Sequence, residues 1–369
     1  MIKILHTADL HFGLEFSRFP TISDKLKEER FKALETLVQW SNDNTADVFV
    51  VAGDLFEKLS VSHKIVKRVK EILSKFRGDL IVIPGNHDWY NSSADNKMWT
   101  WFLDAPGSNV HFLKDLKSFR LSINNRDVIF YPCGCHQKHC NENRIDWVNK
   151  EVKEDEAVQI GIAHGNVEGY GLDDEGDYFP MTESELKQSG VDCWLLGHIH
   201  APYPRTADAG HEILFFAGNH CADNWKSERS GGAWLIQIDD NKKVKATRWN
   251  HNGICFKDRA YQITNISDVQ QTISELKDMD PSNTVLRVVF NGALAEQELD
   301  DAKIQLMAVL DEFLYNDPQW NITLKITAED IDRLYVKDSI SHQLLSNLAQ
   351  TDDPLAMQLA YQTIKNLSK

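Results

Sequence analysis

Short runs of consecutive apolar residues recur through residues 1–250, separated by segments of a different pattern. They are Ile2–Leu5, Asp47–Val51, Leu80–Ile83, Gln159–Ala163, Cys193–Leu196 and Ile213–Phe216. Runs of this length without polar alternation are typical of strands that are buried on both faces. Between the first three runs, apolar residues recur at three- and four-residue spacing, as in Phe31, Leu34, Leu37 and Val38. This spacing predicts amphipathic helices between the strands.

Two further segments have the pattern of β-hairpins. Phe119–Ile123 and Val128–Tyr131 flank a two-asparagine turn, and Ala233–Ile238 and Lys243–Trp249 flank a turn of Asp and Asn residues. Asn and Asp tolerate the backbone angles that tight hairpin turns require. Alternating strands and helices combined with antiparallel pairs predict an α/β core with mixed sheets.

The pattern changes after about Phe256. Leu286–Phe290 and Ile322–Ile326 are predicted strands, and Leu299–Leu314 between them is a predicted amphipathic helix. The last segment, Ile340–Leu367, has helical spacing but is interrupted at Asp352, Asp353 and Pro354. These observations indicate a second, smaller region of mixed α and β structure.

The composition excludes several classes of protein. The chain has 369 residues, a formal net charge of −15, 26% charged and 42% hydrophobic residues, which is the balance of a soluble globular protein. Its apolar runs are far shorter than the ~18 residues that span a bilayer. No export signal precedes the first reactive residues, so we expect a cytoplasmic protein whose six cysteines are thiols.

The charge is distributed unevenly. Residues 260–369 contain 8 Lys and Arg against 17 Asp and Glu. Because an acidic segment binds phosphates poorly, nucleic acid would have to be held mainly by the first part of the chain.

Five groups of Asp, His and Asn residues follow the predicted strands directly. They are Asp9 and His11, Asp54, Asn86 to Asp88, His164, and His198 with His200. Ligands of open α/β sheets bind at the carboxyl ends of the strands, so we expect these groups to converge. Carboxylates mixed with imidazoles suit Mn²⁺, Fe or Zn²⁺ rather than Ca²⁺. The glycines beside them allow sharp turns and keep bulky side chains out of a crowded site.

Each group taken alone has a simpler interpretation. An Asp at a strand end is commonly a turn or a helix cap, and a single His is commonly a hydrogen-bonded core residue. Five such groups in succession, each after an apolar strand, are not explained by caps alone.

Together the five groups resemble the motifs of the calcineurin-like metallophosphoesterases. The residues around them, His6–Gly13, Val51–Phe56 and Ile83–Asp88, are similar to those of the SbcD-type DNA-repair nucleases. The resemblance implies a four-layer α/β/β/α sandwich of two mixed β-sheets flanked by helices, with a smaller α+β C-terminal capping domain. The implied domains are a nuclease domain at 1–258, a capping domain at 259–337 and a C-terminal helical segment at 338–369.

The resemblance also implies a ligand set for two divalent ions, most simply Mn²⁺, with Fe or Zn²⁺ as alternatives. Asp9, His11, Asp54 and His200 would hold the first ion, and Asp54, Asn86, His164 and His198 the second. The shared carboxylate screens the repulsion between the ions, and a bridging hydroxide would attack the phosphodiester. His87 would act on the scissile phosphate or the leaving oxygen, with Asp88 orienting its ring.

The function implied by the resemblance is that of a DNA exo- or endonuclease, together with an SbcC-like coiled-coil ATPase subunit. Two alternatives remain open: a metallophosphoesterase for small phosphodiesters or nucleotides, and a non-catalytic metal-bearing adaptor. A homodimer is a further arrangement that the resemblance allows. The helical segment Ile340–Leu367 would dock on the partner or pack on its own domain.

A cysteine- and histidine-rich segment remains outside this scheme. Cys133, Cys135, His136, His139 and Cys140 lie within eight residues. Their spacing is not that of a standard four-ligand zinc site, although zinc is one interpretation. We favour a loop that faces the substrate cleft.

Overall fold

The computed structural model describes residues 1–92, 96–105, 107–170, 177–206, 208–210, 212–225, 231–351 and 353–367. Only the backbone is described for 208–210, 297 and 354. The chain divides into two compact units, Met1–Ile254 and Cys255–Lys369. Each unit is described below by itself.

The first unit contains twelve described strands and five described helices. The strands are β1 Ile2–Thr7, β2 Val48–Ala52, β3 Asp79–Ile83, β4 Val110–Phe112, β5 Phe119–Ile123, β6 Arg126–Cys133, β7 Val158–His164, β8 Cys193–Gly197, β9 Asp208–Gly210, β10 Leu214–Phe216, β11 Gly232–Ile238 and β12 Val244–Asn250. The helices are α1 Ser23–Asp43, α2 His63–Leu73, α3 Lys97–Phe102, α4 Asp146–Lys150 and α5 Glu183–Gln188. All six predicted single strands and both predicted hairpins are confirmed, with bounds that differ by a few residues.

The strands of the first unit form two mixed sheets. The seven-stranded sheet has the order β4-β3-β2-β1-β11-β12-β9, and the five-stranded sheet has the order β10-β8-β7-β6-β5. Strands β1 to β4 run parallel, whereas β11 pairs antiparallel with β1. In the second sheet, β5 is the antiparallel member. The central strand β1 therefore has one neighbour that follows it closely in sequence and another from late in the unit.

Three apolar layers hold these sheets and helices together. One core lies between the sheets and joins Ile4 and Val50 to Phe130 and Ile160. A second packs the outer face of the larger sheet on α1 and α2, and a third packs the smaller sheet on α4 and α5. Because β2 is buried on both faces, its sequence is uninterrupted Val, Phe and Ala. The predicted α/β sandwich of two mixed sheets flanked by helices is confirmed.

The second unit is built on a three-stranded parallel sheet. Its strands are β13 Cys255–Ile263, β14 Thr284–Leu294 and β15 Tyr315–Leu324, in the order β13-β14-β15. Helices α6 Ile266–Lys277 and α7 Glu296–Leu310 make the two crossovers and contact each other. The paired residues Tyr261, Phe290 and Trp320 stack across the three strands.

The prediction for this unit was incomplete. The strand predicted at Ile322–Ile326 begins earlier, at Tyr315. Its first half was not predicted because Asn316, Asp317 and Pro318 interrupt the apolar pattern. Strand β13 and helix α6 were not predicted. The last segment forms α8 Ala328–Leu334, α9 Ile340–Leu348 and α10 Pro354–Leu367, so the predicted interruption separates two helices. Asp352, at that interruption, lies outside the described residues.

Helices α8 to α10 share a small core with the end of β15. Leu324 at the end of β15 packs with Ile331, Leu345, Met357 and Tyr361. Among the described residues, no helix combines the length and the apolarity that crossing a membrane demands.

Candidate metal centre and active site

The loops that follow β1 and β2 are joined by backbone hydrogen bonds. The amide of Asp9 donates to the carbonyl of Gly53 at 3.2 Å, and the amide of His11 donates to the carbonyl of Asp54 at 3.0 Å. Asp9, His11 and Asp54 have φ values of 54°, 45° and 51°, and His198 has a φ of 89°. The left-handed region is costly for residues with a side chain and is concentrated at functional sites. The fold holds these four residues in strained conformations.

Two glycines leave room for the side chains that gather here. Gly53 has a φ of +88°, and a Cβ on it would lie 2.2 Å from Nδ1 of His164. A Cβ on Gly85 would lie 2.2 Å from Oδ1 of Asp54. Both distances are too short for any larger residue, which agrees with the prediction that these glycines clear a crowded site.

One group of possible ligand atoms comprises Asp9, His11 and His200. The Nε2 atoms of His11 and His200 lie 3.2 Å apart, and His200 Nε2 lies 4.0 Å from Oδ1 of Asp9. Asp54 borders this group, with its Oδ2 3.7 Å from Nε2 of His11. His200 is the most exposed member, with 42% of its side chain accessible.

The second group of possible ligand atoms comprises Asp9, Asp54 and His164. His164 Nε2 lies 3.3 Å from Oδ2 of Asp54 and 2.9 Å from Oδ1 of Asn86. His198 joins through Nδ1, 3.1 Å from the same Asn86 oxygen. The amide of His198 also donates to both carboxylate oxygens of Asp9, at 3.0 and 3.2 Å. The structure therefore brings all seven predicted ligand residues together.

Burial and charge perturb the titration of this site. Burial opposes ionisation of Asp54, but the charges of His164 and His11 outweigh it, and the pKa of Asp54 is lowered. Burial likewise disfavours the charged form of His164, yet Asp54 raises its pKa to about 9. Burial and the neighbouring His164 lower the pKa of His198 to about 3. Opposite shifts on adjacent histidines are expected where several groups compete for few protons.

The chemistry of these donors fits divalent metal ions. Two imidazole nitrogens face each other at 3.2 Å beside two carboxylates that are at most 1% exposed. Without a cation between them, buried lone pairs and carboxylates at such distances repel or must share protons. Oxygen and imidazole donors without thiolates suit Mn²⁺, Fe or Zn²⁺.

His87 lies beside this cluster but belongs to a different group. Its amide donates to Oδ1 of Asp54 at 2.8 Å, and its ring meets that of His11 edge to face at 4.8 Å. Its Nδ1 lies 2.9 Å from the carbonyl oxygen of Glu57 and 3.7 Å from the Glu57 carboxylate. About a third of its side chain is exposed, so one edge of the ring reaches the cleft.

The environment of Asp88 differs from the predicted one. Its carboxylate accepts hydrogen bonds from the amides of Gly85 at 2.7 Å and Phe56 at 3.0 Å, and no ion pair joins it to the described ring of His87. Burial, followed by the charge of Asp54, raises the pKa of Asp88 to about 7. Asp88 thus fixes two loops rather than the imidazole, as a turn-capping Asp would.

Glu57, rather than Asp88, contacts the ring of His87. The sequence analysis did not identify Glu57 as a residue of the site. Its carboxylate lies 2.9 Å from Nδ1 of His11 as well as 3.7 Å from Nδ1 of His87. Burial raises its pKa, but hydrogen bonding to His11 outweighs burial and lowers it. The available signal was an acidic residue three positions after Asp54, in the same loop.

Arg30 is a second contributor that sequence reasoning missed. This buried guanidinium on α1 donates to the carbonyl of Leu10 at 2.6 and 3.0 Å and to that of Asp9 at 3.4 Å. It therefore supports the strained loop that carries Asp9 and His11. His220 is buried against the Arg30 carbonyl at 3.0 Å, and Asn219 donates to Asp223 at 2.6 Å.

The cysteine-rich segment does not assemble as one cluster. All six cysteines are free. Burial raises the pKa of the Cys133 thiol to about 12, and the Cys135 thiol lies 3.3 Å from the carbonyl of His164. His136, Cys140 and Glu142 come close together, but Nη1 of Arg144 lies 3.1 Å from His136 Nδ1. A fixed guanidinium at that nitrogen opposes a bound cation.

A cavity of about 550 Å³ adjoins His87 and Glu57. The loop from Gly13 to Phe19 forms one wall, and Lys58, Lys138 and Trp225 contribute to the others. Lys138 lies in the cysteine-rich segment, which agrees with the expectation that this loop faces the cleft.

Comparison with known proteins gives two findings. The family model described as calcineurin-like phosphoesterase matches residues 2–202, the part of the chain that carries all five groups. An uncharacterized metallophosphoesterase of Bacillus subtilis (strain 168), YhaO, is 26% identical over 331 residues. That alignment covers 85% of this chain and 76% of the relative.

Proposed function

This chain belongs to the calcineurin-like phosphoesterase family, and from that premise we propose that it is a two-metal phosphodiesterase that acts on DNA, of the SbcD type. Family membership makes it a metal-dependent phosphoester hydrolase. The DNA substrate and the nuclease activity are what we propose beyond that.

The observation that carries the proposal is the pair of donor groups that share Asp9, with Asp54 in one group and 3.7 Å from His11 of the other. The residues that would hold the ions are Asp9, His11, Asp54, Asn86, His164, His198 and His200. Two divalent ions bound there would neutralise phosphate oxygens and lower the pKa of bound water toward neutrality. Manganese is the ion that we propose, with iron or zinc as alternatives.

The chain's own contribution to the reaction centres on His87. Its Nδ1 is directed at Glu57, which leaves the opposite edge of the ring, with Nε2, for the substrate. A proton on Nε2 would stabilise charge on the scissile phosphate or pass to the leaving oxygen. The Glu57 carbonyl oxygen, 2.9 Å from Nδ1, fixes the ring plane, whereas Asp88 keeps the surrounding loops in place.

The choice of DNA over small esters is supported by the positive groups around the cavity. Arg18, Lys58 and Lys138 line it, together with the carboxylates of Glu15, Glu57 and Asp223. A small-phosphodiester enzyme remains the second candidate, because the net charge of −15 is unusual for a protein that binds duplex DNA. An adaptor without turnover would have no use for a histidine held beside the donor groups.

An SbcC-like ATPase partner and a cytoplasmic location are parts of the same proposal. Ile340 on α9 and Leu355 and Leu359 on α10 are exposed, which is compatible with docking of a partner.

The test of the proposed function is the His87→Asn variant, assayed with Mn²⁺ on linear DNA and on bis-p-nitrophenyl phosphate. We expect it to bind as much metal as the wild type while DNA cleavage falls by about 10²–10⁴-fold, the range of general acid–base catalysis. Wild-type hydrolysis of the small ester with no attack on DNA would favour the second candidate. Normal DNA cleavage by His87→Asn would refute the role of His87.

A further inference from the structure

The cavity beside His87 carries features that hydrolysis of a phosphodiester does not itself require. It extends from His87 and Glu57 to Trp225. Its volume of about 550 Å³ lies within the range of pockets that enclose a small-molecule ligand. A space of this volume holds a nucleotide of a single strand.

Lys58 is one of the cationic residues that line this cavity. It follows Glu57 directly, and half of its side chain is exposed. Its Nζ lies 4.0 Å from the carboxylate of Glu15, at the limit of an ion pair. A contact this long and this exposed is weak, so the ammonium group remains available to an incoming anion.

Lys138 projects from a loop whose backbone is fixed on both sides. Before it, the amide of Cys135 donates to the carbonyl of Pro84 at 2.9 Å. After it, Cys140 exchanges two hydrogen bonds of 2.7 Å with Asp177 and Phe179. The exposed Lys138 side chain is thus held at the cavity by an ordered segment.

Trp225 also lines the cavity. Its ring is buried, with the Arg18 guanidinium 4.7 Å from the ring centroid and Phe19 packed at 5.1 Å. The lining therefore combines an aromatic ring with the cationic Arg18, Lys58 and Lys138, beside the carboxylates of Glu15, Glu57 and Asp223. An aromatic side chain next to cationic groups matches a base attached to a charged backbone.

We propose that this cavity is a subsite for the nucleotide next to the scissile phosphate of a single DNA strand, in which Lys58 and Lys138 bind the flanking phosphate. The inference rests on the proposed function and deepens it, because it makes the preferred substrate a strand with at least two phosphates. Esters with one phosphate would reach the same reacting groups without this contact.

The test compares thymidine dinucleotides that differ only in terminal phosphorylation. The three substrates have one internal phosphodiester and no terminal phosphate, a 5′-phosphate, or a 3′-phosphate. For the wild type with Mn²⁺, we expect one phosphorylated form to be hydrolysed with a kcat/KM about tenfold higher than the unphosphorylated form, as a charge-assisted hydrogen bond allows. In the Lys58→Ala/Lys138→Ala variant, that preference should fall to within about twofold because the contact is lost.

Lys75→Ala is the matched control. Lys75 is exposed and follows α2, at the opposite ends of the parallel strands, and it should leave the preference unchanged. Binding is measured separately by fluorescence anisotropy of a labelled pentathymidylate in the His87→Asn background. There the double lysine variant should raise Kd by about tenfold.

Two results would overturn the subsite: no preference for either phosphorylated dinucleotide in the wild type, or a preference that survives in the double variant. A different result would overturn the proposed function, namely hydrolysis of bis-p-nitrophenyl phosphate with no attack on any dinucleotide or on DNA. In that case the anisotropy measurement alone decides the subsite, since it requires no turnover.

Discussion

Glu57 lies between two histidines that have different predicted tasks. One carboxylate oxygen is 2.9 Å from Nδ1 of His11, and the other is 3.7 Å from Nδ1 of His87. A carboxylate on the far nitrogen of an imidazole fixes its tautomer and increases its basicity. Glu57 therefore links a candidate metal ligand to the candidate acid.

The Glu57→Gln variant tests this link. The amide keeps the shape of the side chain but removes a negative charge that lies 2.9 Å from Nδ1 of His11 and 3.7 Å from Nδ1 of His87. We expect kcat on bis-p-nitrophenyl phosphate to fall by about 10–100-fold, because both rings lose the carboxylate that supports them. An unaltered kcat would show that Glu57 only supports the loop. Metal content, measured in parallel, shows whether the variant also loses bound metal because His11 has lost its contact with the Glu57 carboxylate.

The sequence was sufficient to identify the residues of the site that lie at strand ends. Asp9, Asp54 and His164 each follow an apolar run, and the topology of a parallel sheet places such residues at one edge. Glu57 and Arg30 were missed because nothing local distinguishes them: the first is one more acid in a loop and the second one more cation on a helix. Their roles depend on neighbours from other segments.

At the scale of elements, α1 is attached to the sheet by a buried polar pair. Glu29 of α1 lies 2.7 Å from Nε2 of His251, just after β12, and both side chains are 9% exposed. Hydrogen bonding to His251 lowers the pKa of Glu29 against the opposing effect of burial. The same helix carries Arg30, which donates hydrogen bonds to the loop of Asp9. The pair of Glu29 and His251 therefore also helps to position Arg30.

The Glu29→Gln variant should remove the part of the pH dependence of the free energy of unfolding that comes from the Glu29 carboxylate. A carboxylate whose pKa is lowered in the folded state stabilises the fold above its ordinary pKa of 4.5, and this contribution is lost as the pH falls through the folded value. We expect the variant to be less stable by about 1–2 kcal/mol at pH 7, with the difference shrinking below pH 4.5. Urea unfolding between pH 3.5 and 7 measures it. Glu35→Gln, an exposed position on α1, is the control, and an equal loss there would contradict the role of the pair.

Strands could be predicted where both of their faces are buried, because such strands consist mainly of consecutive apolar residues, as in β2 and β7. Strand β15 shows the limit, because its register beside β14 is set by backbone pairing while its side chains include Asn316, Asp317 and Pro318. Polar residues on a partly exposed edge strand carry little periodic signal.

At the scale of the whole molecule, the candidate metal centre concentrates acidic groups in a chain that is already negative. Asp9 and Asp54 are buried and close together, in a protein of net charge −15. A cation that binds only the folded state stabilises it, and the stabilisation grows with the logarithm of the cation concentration above Kd.

Adding Mn²⁺ should therefore raise the Tm. At a concentration one hundred times Kd, one site contributes about 2.7 kcal/mol. We expect a chelator to reverse the shift and Asp54→Asn to abolish most of it, whereas His87→Asn should respond like the wild type. Differential scanning calorimetry provides the measurement. An identical Tm with saturating Mn²⁺ and with chelator would contradict the assignment of these residues as ligands.

The order of the strands was beyond the reach of sequence reasoning, since no local pattern shows that β11 pairs with β1. That pairing has a consequence for biosynthesis. The partner of Ile4 is Ile236, so one side of the innermost strand stays open until most of the chain has left the ribosome. At about 5–20 residues per second, the wait lasts more than ten seconds. During that interval a bare, apolar strand edge is exposed to other nascent chains, and its protection falls to chaperones rather than to the fold.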